Sequence, residues 1–292
     1  MMRFSYAESM IDPTMYAPLV QAAEAAGFDN FVVPDSICYP LDADTKYPYN
    51  ADGSREFLEG KPFIEPFSLI PALAAVTERI SFTTFVVKLP IRHPALVAKQ
   101  VTSVGVIANG RFRFGVGTSP WREDYDVTGV PWERRGARMD ECIEIINGLQ
   151  TGEFFGYSGE FYEIPDIQLR PVPEQRVPIL VGGHSAMALE RAGRLGDGWI
   201  HAGGEPGELA RMMSVVEESR RRHGRADLPF DVLAISVDAY SPEGIERLEA
   251  AGVTDVIIGF RDAYSPGPDT RPLEEKLGAL QWYADEILAK VR

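Results

Sequence analysis

The stretch from Ile80 to Glu123 constrains this chain more than any other. It reads ISFTTFVVKLPIRHPALVAKQVTSVGVIANGRFRFGVGTSPWRE. A β-rich run stops at Lys88-Leu89-Pro90, His93-Pro94 opens a helix, and a second apolar run, Phe112 to Val116, ends in Gly117-Thr118-Ser119-Pro120. Strand, helix, strand and polar turn form a βαβ unit, whose two strands run parallel in one sheet. Polar residues gather after the second strand, where parallel sheets place their chemistry. On this stretch alone, a tight turn explains Gly115 and Gly117 equally well.

The same alternation runs through the whole chain. Strands are predicted at Arg3 to Ala7, Asn30 to Pro34, Ile80 to Val87, Arg111 to Val116, Val177 to Val181, Gly198 to Ala202, Phe230 to Val237 and Asp255 to Phe260. Helices are predicted at Pro13 to Ala26, Pro66 to Thr77, His93 to Val106, Trp132 to Leu149, through Leu195, from about Pro206 to Arg222, Pro242 to Ala251 and Leu273 to Val291. Apolar Met139, Cys142, Ile143, Ile146 and Leu149 mark one face of the fourth helix. Two connections are long: Ile37 to Pro62 after strand two, and Gly152 to Arg176, punctuated by three prolines. Eight strands each followed by a helix close most simply into a (β/α)8 barrel of the TIM type, with insertions after strands two and four. A doubly wound sheet would use fewer strands and a Gly-x-Gly-x-x-Gly fingerprint, which is absent. A single barrel suits a 292-residue chain, so residues 1–292 are expected to form one domain.

Charge excludes several functions. A net charge of -14 argues against nucleic acid or an anionic membrane surface as partner. No apolar run reaches the roughly 20 residues of a membrane helix, and MMRFSYAESM lacks the pattern of a signal peptide. The expected setting is cytoplasmic, with a small-molecule substrate and a homodimer left open. Cys38 and Cys142 fit no metal spacing, and no metal site is expected.

In a barrel the working face lies just past each strand. There the sequence places Glu8, Asp35-Ser36, Thr84-Phe85, Lys88, Gly117-Thr118-Ser119, Gly182-Gly183-His184-Ser185, His201, Asp238 and Phe260-Arg261. The Gly182 to Ser185 run separates a strand from a helix, so free backbone N–H groups there suit a phosphate. The alternative is that Ser185 is only a helix cap. Of four histidines, His93 precedes a helix-opening proline and His223 ends a basic helix, which leaves His184 and His201 as candidates for function.

The residues also carry a resemblance. It runs through Ala22 to Asp29, Leu73 to Ile80, Leu89-Pro90-Ile91-Arg92-His93-Pro94 with Ala98-Lys99-Gln100, and Asn109-Gly110-Arg111-Phe112 with Gly115-Val116-Gly117. It continues through Trp121 to Tyr125, Arg134 to Arg138, Val181 to Ser185 and Gly196-Asp197-Gly198-Trp199. In these stretches the chain resembles the bacterial-luciferase-like flavin and deazaflavin oxidoreductases, in particular their F420-dependent branch.

The resemblance implies a flavin-like ring over the strand ends, with its phosphate against Gly117 to Ser119 and Gly182 to Ser185. It implies a bulge with a non-proline cis peptide in strand three, at Thr84-Phe85. It gives Asp35 and Ser36 a cofactor contact, and it makes Asp35 and His201, or a tyrosine of the 37–62 loop, the acid–base candidates. Relatives carry Asp-His after strand two where this chain has Asp35-Ser36, and a glycine with a large residue where it has Ser119-Pro120. The glutamate found after that turn in sugar-phosphate dehydrogenases is also replaced, which argues against a sugar phosphate. The implied activity is hydride transfer between coenzyme F420 and an organic substrate. The alternatives are an FMN-dependent monooxygenase and a cofactor-free ligand-binding barrel. The 37–62 loop, rich in Tyr39, Tyr47, Tyr49 and Phe57, is expected to cover the site.

Overall fold

The computed structural model describes residues 1–50, 52–205 and 207–292. Its strands are β1 (Arg3–Ala7), β2 (Asn30–Val33), β3 (Ser81–Thr84), β4 (Val87–Lys88), β5 (Phe112–Gly117), β6 (Phe155–Ser158), β7 (Glu163–Ile167), β8 (Ile179–Gly182), β9 (Gly198–His201), β10 (Asp231–Ala234) and β11 (Asp255–Ile258). Nine of them form one parallel sheet in the order β3-β2-β1-β11-β10-β9-β8-β5-β4. Pairing of Phe82 with Phe112 and Thr83 with Arg113 joins β3 to β5 and closes an eight-stranded barrel, with β4 continuing beyond the β3 end. The sequence-predicted barrel is therefore correct.

Helices surround it: α1 (Tyr16–Ala26), α2 (Pro66–Ala74), α3 (Pro94–Ile107), α4 (Arg122–Thr128), α5 (Arg135–Leu149), α6 (Ala186–Leu195), α7 (Glu208–Arg222), α8 (Pro242–Ala250) and α9 (Leu273–Tyr283). Among the described residues, no helix is long and apolar enough to cross a membrane. Gly27, at φ 93°, ends α1 with its N–H on Ala23 and Glu24. The last helix continues through a π turn at Ala284–Leu288.

The barrel interior is layered, as the period of two along each strand requires. Val32, Leu180, Ile200, Leu233 and Ile257 form an apolar layer near the C-terminal strand ends, separate from the larger core between strands and helices. Two residues earlier along the strands the layer is polar. Asp255 accepts from Ser5 Oγ at 2.6 Å and from Arg113 at 2.6 Å, Asn30 donates to Ser5 at 2.8 Å, and Thr83 donates to Asn30 at 2.9 Å. Every member finds a partner, which is what allows such a layer to be buried.

Several elements differ from expectation. Strand three splits into β3 and β4 around a cis peptide between Phe85 and Val86, one bond after Thr84-Phe85. Helix α4 was not anticipated, and α5 begins at Arg135 rather than Trp132. The Gly152 to Arg176 connection contains an antiparallel hairpin, β6 with β7. The expected helix start at Pro206 lies outside the described residues. Among its described residues, the segment 34–65 after β2 has a 3-10 turn at Glu56–Leu58 and no other helix or strand.

Candidate active site

A cavity of about 770 Å³ opens over the C-terminal ends of the strands. Its floor includes Ala7, Val32, Ile235 and Ile257, the inner layer and the positions just after it. Its wall comes from loops. Tyr47, Tyr49 and Phe57 line it from the 34–65 segment, Trp121 from the start of α4, His184 from the turn before α6, and Tyr264 from the segment after β11. Tyr47 stacks on Trp121 at 5.3 Å and 13°, and it packs against Tyr49, Phe57 and Tyr264 at 5.2 to 5.7 Å. Three separate loops are thus held together by one ring. Burial raises the Tyr47 phenol well above its ordinary range, so it stays neutral.

The strand-end residues divide into two groups. Asp35, Ser36, Phe85 and His184 line the cavity. The Asp35 carboxylate is already engaged: one oxygen accepts from the Lys88 backbone N–H at 3.0 Å and the other from Arg92 at 2.9 Å. Two strong donors hold it as a strut between the end of β2 and the β4 segment. Thr84 is fully buried, with its hydroxyl on the Gly115 carbonyl at 2.7 Å, and does not line the cavity.

The two polar turns are neighbours, because β5 pairs with β8. Val86 lies against both Gly117 and Gly182, where a Cβ on either would approach it to 2.8 and 3.0 Å. Gly183 has φ 125°, which a side chain rarely adopts. Ser185 caps α6 by accepting from Ala188 N at 3.2 Å, while the other first-turn N–H groups have no intrahelical acceptor. Ser119 has φ 64° and a buried hydroxyl that donates to Asp124 at 2.5 Å and accepts from Trp121 N at 3.0 Å. Asp124 in turn pairs with Lys88 at 2.8 Å. A double-glycine turn beside a helix N-terminus fits a phosphate. Gly117, Thr118, Ser119, Gly182, Gly183 and Ser185 do not line the cavity, whereas their chain neighbours Trp121 and His184 do.

His201 is 2% exposed and outside the cavity lining. Its ring stacks on His184 at 4.7 Å and 16°. Burial, then the neighbouring His184, lowers its pKa to about 4, so it carries no charge at neutral pH. His184 is also pushed down, by burial. Its Nε2 accepts from Ala202 N at 3.0 Å, so the neutral ring carries its proton on Nδ1.

The sequence reading named the positions of Glu8 and Arg261 but not their partnership. Glu8 is buried and accepts from Arg261 at 3.0 Å, Lys276 at 3.2 Å and the Tyr6 hydroxyl at 3.1 Å. Lys276 also holds Asp269 at 2.5 Å. No local motif announces contacts between residues more than 250 positions apart.

The luciferase-like monooxygenase family model matches residues 5–286. The chain belongs to this family. An uncharacterized protein of Mycobacterium tuberculosis is 54% identical over 290 residues, covering 99% of this chain and 100% of the relative. A protein of Microbacterium testaceum named F420-dependent glucose-6-phosphate dehydrogenase is 30% identical over 256 residues, covering 85% of this chain and 71% of its own. Among solved structures, the coenzyme F420 dependent tetrahydromethanopterin reductase of Methanopyrus kandleri superposes with a TM-score of 0.74 at 18% identity, over 100% of this chain and 99% of that one. A monooxygenase of Streptomyces bottropensis gives a TM-score of 0.74 at 16% identity, with 100% of both chains covered. The proteins it resembles in sequence or fold thus include ones named F420-dependent and one named a monooxygenase.

Proposed function

We propose that this protein is an oxidoreductase that transfers hydride between coenzyme F420 and a small organic substrate. The observation that carries the reading is the pairing of a large aromatic-walled cavity over the strand ends with two adjacent phosphate-type turns, after β5 and β8. The name of the Microbacterium testaceum relative supports F420 over FMN. When bound, the deazaflavin supplies a carbon hydride donor or acceptor that activates oxygen poorly.

The chain's own residues supply the rest. Backbone N–H groups from Gly183 to Ser185 and the Thr118 turn would hold the phosphate, and Phe85 and Ser36 would meet the ring. Tyr47, Tyr49 and Phe57 exclude water from the cavity. His184 Nδ1–H is a neutral donor in the cavity wall and is the group we assign to a substrate oxygen. His201 acts by stacking beneath it. Its depressed pKa removes it as an imidazolium acid at neutral pH.

Fluorescence titration of the full chain with F420 and with FMN tests this reading. F420 is expected to bind more tightly, with substrate turnover independent of oxygen. Micromolar FMN binding without F420 binding, together with oxygen-dependent turnover, would establish the monooxygenase alternative. Binding of neither would leave a cofactor-free barrel.

A further inference from the structure

The charges at the β1 and β11 ends of the cavity do not balance. Arg261, Arg271 and Lys276 share two carboxylates, Glu8 and Asp269. Lys276 is 2% exposed and Glu8 3%. Burial would push the Asp269 carboxyl up, but hydrogen bonds from Lys276 and the Arg271 backbone bring it down to about 2. By contact, Glu8 is shared by Arg261, Arg271 and Lys276, and Asp269 by the same three, so three cations share two carboxylates and the cluster is one anion short. Uncompensated charge in a buried cluster is costly, so the site favours a further anion.

The guanidinium of Arg261 is where that anion can bind. Arg261 lines the cavity. Its Nε donates to Glu8 and its Nη2 to the Ser9 carbonyl. A guanidinium carries five N–H donors, so three remain, and Nη1 has no protein acceptor among the described residues. A second nitrogen is also short of a partner: Arg271 Nη2 is buried without a hydrogen bond, 3.8 Å from Glu8. Of the other acids lining the mouth, Glu205 and Asp262 are exposed and screened by water and salt, Glu208 is half-buried and pairs with Arg211, and Asp35 is held by Arg92.

Position separates this subsite from the phosphate turns. Around the closed barrel β11 is four strands from β5 in either direction, so Arg261 faces Gly117 to Ser119 across the full width of the mouth. Aromatic rings lie beside it: Tyr264 packs against Phe57 at 5.1 Å and Tyr47 at 5.7 Å.

We infer that Arg261 is a substrate-recognition residue for a flat, apolar carboxylic acid, whose carboxylate docks on its free guanidinium edge while its body lies along Tyr47, Phe57 and Tyr264. The inference rests on the proposed function for its view of the cavity as a substrate site. The guanidinium fork matches a carboxylate in shape, whereas an amide offers one weaker acceptor.

Cinnamate and neutral cinnamamide serve as probes, measured by calorimetry on the full chain with and without F420. The wild type is expected to bind cinnamate about tenfold or more tightly than cinnamamide, as a charge-assisted hydrogen bond predicts. Arg261→Met should remove that preference while F420 affinity stays unchanged, and Arg261→Lys should keep part of it. Equal binding of the two probes by the wild type, or binding of neither, overturns the inference. So does a preference that survives in a folded Arg261→Met protein. If Arg261→Met does not fold, loss of all preference in Arg261→Lys overturns it instead. Weakened F420 binding with an intact cinnamate preference would assign the arginine to the cofactor tail and also overturns it. The ratio needs no turnover, so a protein that ignores F420 but prefers cinnamate refutes only the proposed function.

Discussion

Thr84 and Gly115 are fitted to each other twice. The Thr84 hydroxyl donates to the Gly115 carbonyl at 2.7 Å, and a Cβ on Gly115 would collide with the Thr84 carbonyl oxygen. This contact lies beside the β3–β5 seam that closes the barrel. Backbone cannot yield there as a side chain can. Gly115→Ala is expected to destabilise the protein by roughly 3 kcal/mol or more, as forced overpacking does. Urea unfolding monitored by circular dichroism reads it; a loss under about 0.5 kcal/mol would show that the two strands separate freely.

The polar barrel layer makes a different prediction. Asp255 is fully buried and serves Arg113, Arg3 and Ser5 together. Asp255→Asn leaves the Arg113 guanidinium without its main counter-charge and should cost about 3–5 kcal/mol. The half-exposed pair of Arg292 with Asp29 is the control. Arg292→Ala should change stability by less than about 1 kcal/mol. Similar losses for both variants would remove burial as the cause.

The pH dependence follows from His201. Its folded pKa, about 4, lies below the ordinary 6.5, so the unfolded chain takes up the proton first as pH falls. Its contribution is complete above pH 6.5, declines between 6.5 and 4, and is gone below 4. The two limits differ by about 3 kcal/mol at most. His201→Asn should flatten that part of the stability profile relative to wild type, since the carboxylates shared by both proteins cancel in the difference. Parallel profiles from pH 7.5 to 4.5 would contradict the neutral buried ring.

Ser185 lets the helix cap be separated from the proposed phosphate site. Asp caps helices as well as Ser does, so Ser185→Asp should preserve the thermal midpoint. The new carboxylate would oppose a bound phosphate, and F420 affinity is expected to fall by roughly tenfold or more. Undiminished affinity would move the phosphate elsewhere.

Much of this architecture was legible in the sequence, for a physical reason. Short apolar runs followed by amphipathic helices recur eight times, and parallel strands leave that mark because both their faces are buried. The β6–β7 hairpin left none: β7 contains Pro165, and most of its residues are exposed. Helix α4 is seven residues with five of them charged or polar, too short to show a period. In the site, the turn residues announced themselves through glycine and serine. The Glu8, Arg261 and Lys276 cluster did not, because ion pairs between residues 253 and 268 positions apart have no local spacing to read. His201 looked functional from its place at a strand end, and only burial shows that it is held neutral.

Trp121 belongs to two sets of contacts at once. Its backbone N–H is held by Ser119, within the turn after β5, and its indole is stacked on Tyr47 of the covering segment. Under the proposed function, the turn that would hold the phosphate and the segment that would cover the substrate therefore share a residue. Linkage makes the effect reciprocal: whatever factor a ligand at the turn adds to closure of the cover, closure adds to the affinity of that ligand. Trp121→Ala tests this link: on the proposed reading it should weaken both the hold on the phosphate and the packing of Tyr47, where a change confined to one of them would show the two to be separate.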